Sequence, residues 1–284
     1  MSVQIKLTCK SKVNKFITIF KHLKNVCPDV TLNIKKDNLY IQGLCSAHVL
    51  MFELNISNDW FDYYESSFDS QVNLGINCEI LFKIINCIGD GQMIKFEYNQ
   101  NKADKLIIML DNINDNSKTP QKSFELSLMD IDNEYLEVPE IASDIELTIS
   151  SEQIVQIINE MSQFGSDVKF QCNEDNIILE SVGDGNKMNV QIKESDIESY
   201  AIVEDLNYNS VYSLKYLQNI TAFQKLNKNI DIIFIEDNPA MFIYNLNERD
   251  WKDYDESDIE EENDEEDKPA MKNIIKFYLA PKLD

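Results

Sequence analysis

Short segments in which apolar and polar residues alternate recur along this chain of 284 residues. Such alternation is typical of half-buried β-strands, because successive side chains of a strand point to opposite faces of the sheet. Asn, Asp and Gly separate the segments, which favours antiparallel sheets with one solvated face. The clearest strands are predicted within residues 3–9, 30–34, 94–98, 145–149 and 168–172.

Four segments replace this alternation with the apolar spacing of an amphipathic helix. They are predicted at residues 11–23, 77–89, 151–165 and, more weakly, about 210–220. Ser11 is the expected N-cap of the first helix, since serine accepts backbone N–H groups at helix starts. The helix starts lie about 60 to 75 residues apart. This spacing indicates a fourfold repeat of one helix and several strands, with two repeats in each of two domains.

The two domains are predicted at residues 1–128 and 143–284, joined by a connector at residues 129–142. The connector carries apolar residues such as Ile131, Tyr135 and Leu136, and Pro139 removes a backbone donor from any strand ladder. A connector this apolar is expected either to dock on the protein or to receive a partner. These residues alone leave both interpretations open.

The charge balance opposes nucleic-acid binding when it is taken by itself. The chain has 26 basic and 50 acidic residues and a net charge of −24. Residues 253–267 hold 11 acids and no base, yet the remainder still carries −13. Such an acidic run is usually a solvated loop or tail. Any contact with DNA therefore has to come from lysines placed locally.

Composition predicts a globular protein, with 43% hydrophobic and 10% aromatic residues. No apolar run reaches the roughly 18 to 20 residues that span a bilayer. The first residues, MSVQIKLTCKSK, lack the apolar block of a signal peptide. We therefore expect a soluble intracellular protein, whose six cysteines are reduced structural thiols rather than zinc ligands with His22 and His48.

The motifs of common enzymes do not occur in this sequence. There is no G-x-x-x-x-G-K-[ST] nucleotide loop among only seven glycines. Cys45 and His48 lack an orienting acid nearby, which disfavours a nucleophile and base pair. The carboxylate pairs at 130/132 and 253/255 lack the glycine and distal glutamate of a calcium loop. We expect no catalytic residue, metal or cofactor.

Four segments resemble the eukaryotic sliding clamps of the proliferating cell nuclear antigen family. They are IQGLCSAHVLMFELNI (41–56), FELSLMDIDNEYLEVPE (124–140), YSLKYLQNIT (212–221) and IKFYLAPKLD (275–284). LMDID and LAPK at this separation make the resemblance specific. It covers the chain except residues 249–270, which look like an acidic insertion in the last hairpin. The chain is thus similar to a divergent eukaryotic or eukaryotic-virus member.

The resemblance implies an α+β DNA clamp fold, in which each of two similar domains packs two helices on antiparallel sheets. It implies a homotrimer that forms a pseudo-sixfold ring around double-stranded DNA. Such a ring is a processivity factor for DNA polymerase in DNA replication and DNA repair, opened by a clamp loader, and is not an enzyme. The expected location is the nucleus, or a cytoplasmic replication site if a virus encodes the protein.

Lysines on the inner helices of the clamp are expected to face phosphates without reading bases. Four other positions, Asn14, Asn86, Gln156 and Asn159, carry neutral residues where the family commonly has lysine or arginine, so the hole should be less positive than usual. Glu174 replaces a lysine that many eukaryotic clamps use for ubiquitin attachment. The matching basic residues are Lys12, Lys15, Lys21, Lys83 and Lys215.

The resemblance also implies a groove for partner peptides of the Q-x-x-(I/L/M)-x-x-(F/Y)-(F/Y) type (PIP-box proteins), and a trimer interface. For the interface, the edge around Phe124 is expected to meet the edge around Tyr200 and Ile202 of a neighbour. The matching groove residues are Leu44, His48, Val49, Met51, Leu136, Val138, Pro139, Pro239, Ala280, Pro281 and Lys282.

Two other interpretations remain open. The chain could be one subunit of a heterotrimeric or checkpoint-type clamp, whose edges are not self-complementary. It could instead be an acidic interaction protein that works through residues 253–267 and encircles no DNA. The molecular mass in solution separates these alternatives.

Overall fold

The fold comes from a computed structural model, which describes residues 1–114, 118–132, 135–139, 141–247 and 273–282. The predicted acidic insertion at 249–270 lies outside the described residues. The first half contains β1 (Ser2–Leu7), α1 (Lys10–Leu23), β2 (Asp29–Ile34), β3 (Asn38–Leu44), β4 (Leu50–Ser57), β5 (Tyr63–Ser66), β6 (Val72–Asn77), α2 (Cys78–Ile85), β7 (Gln92–Asn99), β8 (Lys105–Asn112) and β9 (Lys122–Ser127). The second half contains β10 (Ile145–Ser150), α3 (Ser151–Met161), β11 (Asp167–Cys172), β12 (Asn176–Gly183), β13 (Asn186–Lys193), β14 (Ser199–Ile202), β15 (Tyr208–Ser213), α4 (Leu214–Thr221), β16 (Asn229–Phe234), β17 (Ala240–Asn245) and β18 (Ile274–Leu279).

The two halves repeat the same order of elements. Each has one strand, a helix, five strands, a second helix and three strands within the described residues. In the first half β1 pairs with β5 and β7, and in the second half β10 pairs in the same way with β14 and β16. All strand pairs between these elements are antiparallel. The α+β prediction with two similar domains is confirmed.

The strands of the described chain form three sheets. A five-stranded sheet has the order β5-β1-β7-β8-β9, and a four-stranded sheet has the order β13-β12-β11-β15. The third sheet has nine strands in the order β14-β10-β16-β17-β18-β4-β3-β2-β6. This last sheet joins the two halves, because β18 of the second half pairs with β4 of the first.

The burial of β2 departs from the expected single wet face. Val30 to Ile34 are buried without interruption, including the polar residues Thr31 and Asn33. The Tyr135 hydroxyl donates to Asn33 Oδ1 at 2.7 Å, so the connector lies on the face that a simple two-layer fold leaves to water. In β1, by contrast, exposed or half-buried residues alternate with buried ones, as the sequence pattern predicts.

The start of α1 is set by a residue from a distant part of the chain. The prediction that Ser11 caps this helix is wrong, because the helix begins at Lys10 and Cys9 takes the N-cap position without a side-chain bond. Asp62 Oδ2 instead accepts the N–H groups of Thr8 at 2.5 Å and Cys9 at 2.9 Å. Burial raises the pKa of Asp62, but these hydrogen bonds outweigh burial and lower the pKa to about 2.

The other helices lie where the period predicts them but are shorter. Asn77 Oδ1 accepts the Ile80 N–H at 3.1 Å and caps α2, which ends at Ile85 rather than at Gly89. Ser150, one residue before the predicted start, caps α3, and that helix ends at Met161. The segment from Ser210 to Ser213 belongs to β15, so α4 begins only at Leu214.

The helices pack in pairs over the inner faces of the sheets, α1 with α2 and α3 with α4. Their buried stripes contact one continuous apolar core. The end of α1 also contacts the residues after α4, since the His22 and Phe223 rings lie 5.5 Å apart. Within the described residues, no helix has both the length and the apolar character that crossing a bilayer requires.

Candidate functional site

The outer face of the nine-stranded sheet carries an apolar cavity of about 360 Å³. Its floor forms because β4, β18 and β17 are neighbours, which places Met51, Tyr278 and Met241 in one row across three strands. The connector forms one wall and the turn between β3 and β4 forms another. The lining residues are Leu44, His48, Val49, Met51, Leu136, Glu137, Val138, Pro139, Ile141, Ile235, Asn238, Pro239, Met241, Tyr278 and Ala280.

The connector wall remains open to solvent on its apolar side. Leu136 is 47% exposed and Val138 is 36% exposed, although both are large apolar residues. Side chains of this kind are normally covered, and an exposed apolar cleft marks a place where another molecule binds. The cleft defined by the cavity-lining residues is called the partner cleft below.

The floor of the partner cleft presents an aromatic ring rather than a free hydroxyl. Tyr278 donates its hydroxyl to Glu53 Oε2 at 2.7 Å, and Tyr40 donates to Glu53 Oε1 at 2.6 Å. Burial raises the pKa of Tyr278 well above its usual range, and the bond to Glu53 raises it further. The Tyr278 hydroxyl is therefore neutral and already bonded, so its ring offers an apolar contact surface.

The turn that carries His48 is held by its own backbone. His48 adopts a positive φ of 59°, and its N–H donates to the Cys45 carbonyl at 2.9 Å. Cys45 is buried, and its Sγ accepts the Leu50 N–H at 3.3 Å. His48 lines the cleft, and buried Cys45 holds the turn that carries His48.

Most of the lysines that the sequence singles out have partners within the chain. Lys12 pairs with Asp62 at 3.3 Å, and Lys83 pairs with Glu79 at 2.8 Å. Lys15 donates to the Leu246 carbonyl at 2.8 Å. The two remaining predicted lysines, Lys21 and Lys215, are exposed on α1 and α4.

A further group of lysines surrounds His22 at the end of α1. Burial lowers the pKa of His22 to about 4, and the charges of Lys21, Lys225 and Lys24 lower it as well. These lysines come from α1 and from the segment after α4, which the contact between His22 and Phe223 brings together. Sequence spacing gave no sign of this cluster, because Lys225 lies outside the predicted helices.

Two family models match this chain. The N-terminal domain of proliferating cell nuclear antigen matches residues 5–135, and its C-terminal domain matches residues 137–255.

The chain belongs to the proliferating cell nuclear antigen family.

A relative from Paramecium bursaria Chlorella virus 1, described as "Probable DNA polymerase sliding clamp 2", supports the same assignment. It is 23% identical over 272 residues, which cover 95% of this chain and 87% of the relative. The prediction of a divergent eukaryotic or eukaryotic-virus member of this family is confirmed, and the function of the chain is that of a DNA sliding clamp. Clamps of this family are generally not enzymes.

Nine of the eleven groove residues predicted from the family resemblance line the partner cleft; Pro281 and Lys282 do not. The Lys282 N–H donates to the Val211 carbonyl at 2.8 Å, and its Nζ lies 2.6 Å from Asp167. Lys282 thus ties the chain end to the four-stranded sheet. Two of the lining residues that were not predicted, Met241 and Tyr278, reach the cleft through the register of β17 and β18. The others are Glu137 and Ile141 of the connector, and Ile235 and Asn238 between β16 and β17.

Three of the six cysteines fit the predicted role as core thiols. Cys45, Cys78 and Cys172 are buried, Cys27 is half-buried, and Cys9 and Cys87 are exposed. All six are free thiols. In the part of the chain that the structure describes, no three His, Cys, Asp or Glu side chains group together as a metal site would require.

Proposed function

We propose that three copies of this chain close into a ring that encircles duplex DNA and serves as a non-catalytic platform for DNA polymerase and other replication and repair proteins. The observation that carries the proposal is a strand pairing between the two halves of the chain that their counterpart strands do not make. β18 pairs with β4 within the chain, whereas their counterparts, β9 and β13, each have a free edge within the described residues.

Burial supports the view that these two free edges receive a neighbour. β4 and β18 are buried along most of their length, while β13 is largely exposed and β9 consists of exposed and half-buried residues apart from buried Leu126. Free strand edges are normally covered or paired. Pairing β9 of one copy with β13 of the next, a contact called the seam below, would complete a second nine-stranded sheet with the order of the first.

The internal repeat also gives a register for the seam. The pairing of each edge strand with its sheet neighbour shows which residues of the two halves are equivalent. Phe124 of β9 is equivalent to Phe277 of β18, and Met188 of β13 is equivalent to Phe52 of β4. Phe277 and Phe52 are cross-strand partners whose rings lie 6.5 Å apart. Phe124 and Met188 are both half-buried against the core of their own halves, so in the ring they would meet as an apolar pair.

This register replaces part of the predicted interface. Phe124 keeps its predicted place, but Tyr200 and Ile202 lie in β14, which corresponds to β5 at the far end of its five-stranded unit. The Tyr200 hydroxyl donates to the Asn173 carbonyl at 2.8 Å within the chain. We therefore propose β13, and not β14, as the strand that β9 meets.

DNA would be held in the ring by enclosure, assisted by a small number of lysine side chains. Lys21, Lys215 and Lys225 are exposed, and Lys83 is exposed but pairs with Glu79. Lys12 and Lys15 have partners within the chain that weaken their attraction for phosphate. Because few phosphates would be neutralised, direct binding to linear duplex should be weak and sensitive to salt.

Partner proteins would bind the partner cleft through a peptide with one aliphatic and two aromatic anchors. The apolar floor of Met51, Met241 and the Tyr278 ring suits such anchors, which commonly dominate peptide affinity. A clamp loader would open the ring. The protein would act in the nucleus or at a viral replication site, where these partners assemble on DNA.

Retention on circular DNA tests the proposal. The protein is loaded on nicked circular duplex with a clamp loader and ATP, separated by gel filtration, and then treated with a nuclease that cuts the circle once. We expect retention on the circle and release after cutting. Replacing Lys21 and Lys215 by Glu should reduce loading at least about tenfold, while Lys36→Glu, at the turn before β3, should not. Equal loss from circular and cut DNA would overturn enclosure.

A further inference from the structure

The connector is fixed to the nine-stranded sheet at two places. The first lies at its beginning, where Met129 forms an antiparallel bridge with Gly75 of β6 and its N–H donates to the Gly75 carbonyl at 3.0 Å. A Cβ atom at position 75 would lie 2.0 Å from the Met129 carbonyl oxygen. Only glycine allows this approach, and the bridge occupies the edge of β6 at that one residue.

The second anchor is the side-chain amide of Gln42 in β3. Its Nε2 donates to the Leu136 carbonyl at 2.8 Å, and its Oε1 accepts the Leu136 N–H at 2.9 Å. Both backbone groups of one connector residue are thereby satisfied by one side chain. Gln42 is 7% exposed, so water competes poorly for these two bonds.

The Gln42 amide is itself held by neighbouring polar groups. Its Nε2 also lies 3.2 Å from the Tyr40 hydroxyl and 3.4 Å from Glu53 Oε1. Glu53 accepts from Tyr278, whose ring forms part of the floor of the partner cleft. One hydrogen-bonded network therefore connects the floor of the cleft to its connector wall.

The position of the anchor matters because Leu136 separates two cavities. On one side is the apolar partner cleft, and on the other is a more polar cavity of about 470 Å³ that Asp29, Asp132 and Tyr135 help to line. Leu136 lines both cavities, as do Leu44, His48 and Met51. A shift of Leu136 across β3 would enlarge one cavity at the expense of the other.

We infer that Gln42 is the positioning residue of the partner cleft: its paired bonds to Leu136 hold the connector in the binding geometry before any partner arrives. This inference rests on the proposed use of the cleft by partner peptides. Ordering a loop in advance reduces the conformational entropy that binding would otherwise lose, so removal of the anchor should weaken the affinity for a partner peptide.

The test uses Gln42→Met, which keeps the length of the side chain and removes both the donor and the acceptor. The matched control is Gln171→Met in β11 of the other domain. Amide hydrogen exchange of the segment 135–139 reports the anchor directly, without any peptide. We expect exchange at least about tenfold faster in Gln42→Met and unchanged in the control, with the same solution mass and melting temperature as wild type.

Calorimetry with a synthetic peptide containing Gln, one aliphatic residue and paired aromatics gives the second measurement. Gln42→Met should bind about tenfold more weakly, or 1.4 kcal/mol. Gln42→Glu keeps the acceptor for the Leu136 N–H and should exchange at a rate between wild type and Gln42→Met. Unchanged exchange in Gln42→Met, or faster exchange with unchanged affinity, would overturn the positioning role. If wild type binds no such peptide while exchange still responds, the proposed peptide cleft fails and the anchor itself stands.

Discussion

Replacing Met188 by Asp should dissociate the ring while the chain remains folded. Met188 is half-buried in the edge strand β13 and, in the proposed ring, would lie opposite Phe124 of the next copy. Completing the burial of these two apolar side chains stabilises a seam by about 1 to 2 kcal/mol. A carboxylate in the same place loses this contribution and adds a desolvation cost, which together make about 3 kcal/mol per seam.

A cost of about 3 kcal/mol weakens each contact by more than a hundredfold, and every chain in the ring carries the substitution. Light scattering should therefore change from about three times 33.0 kDa to a single chain at micromolar concentration. The matched control is Ile202→Asp, because Ile202 is also half-buried on an edge strand, β14. A ring that survives Met188→Asp and dissociates with Ile202→Asp would refute the register. Circular dichroism checks that both variants fold.

Three further predictions concern the cleft and two titrating residues. Met51→Ala and Val138→Asp should each weaken peptide binding at least about tenfold in calorimetry, by removing an anchor contact or by introducing an unpaired carboxylate, whereas Ile113→Asp should not. Asp62→Ala should cost about 1 kcal/mol of unfolding free energy at pH 7, because α1 loses its cap. Since the folded pKa of Asp62 is about 2, below its ordinary 3.8, this difference should be complete above pH 3.8 and shrink toward pH 2 in urea titrations. The folded pKa of His22 is also depressed, to about 4, so wild type should lose stability as the pH falls from 6.5 to 4. His22→Gln lacks this titration, and its loss of unfolding free energy over the same pH range should be smaller by roughly 1 to 2 kcal/mol.

Local patterns in the sequence were enough to locate the elements whose burial is periodic. β1 and β11 alternate in the structure as they do in the sequence, and the helices lie on the predicted apolar stripes. The prediction of a Ser11 cap is wrong because the carboxylate that accepts the N–H groups at the start of α1 belongs to Asp62, about 50 residues away. No local pattern contains that information.

The site was predictable to the extent that motif residues form it. The segments 41–56 and 124–140 supply the rim and the connector wall, but Met241 and Ile235 enter the cleft only through the pairing of β16, β17 and β18. The partners of Lys12 and Lys15 were hidden for the same reason, since Asp62 and Leu246 are distant in sequence. Lys282 was misplaced because its motif does not reveal that Asp167 attracts it.

The pairing of β18 with β4 lies within one chain, whereas its counterpart in the proposed ring, the seam between β9 and β13, would lie between chains. Because β18 and β4 belong to one polypeptide, their effective concentration is high and they pair whenever the chain folds. The seam would form only when enough protein is present. Substitutions at the two places should therefore have different effects. A substitution at Phe277 should change the free energy of unfolding of the chain. A substitution at Phe124 should change the concentration below which the proposed ring dissociates. Substitutions that weaken the seam would therefore impair function first in cells that contain little of the protein.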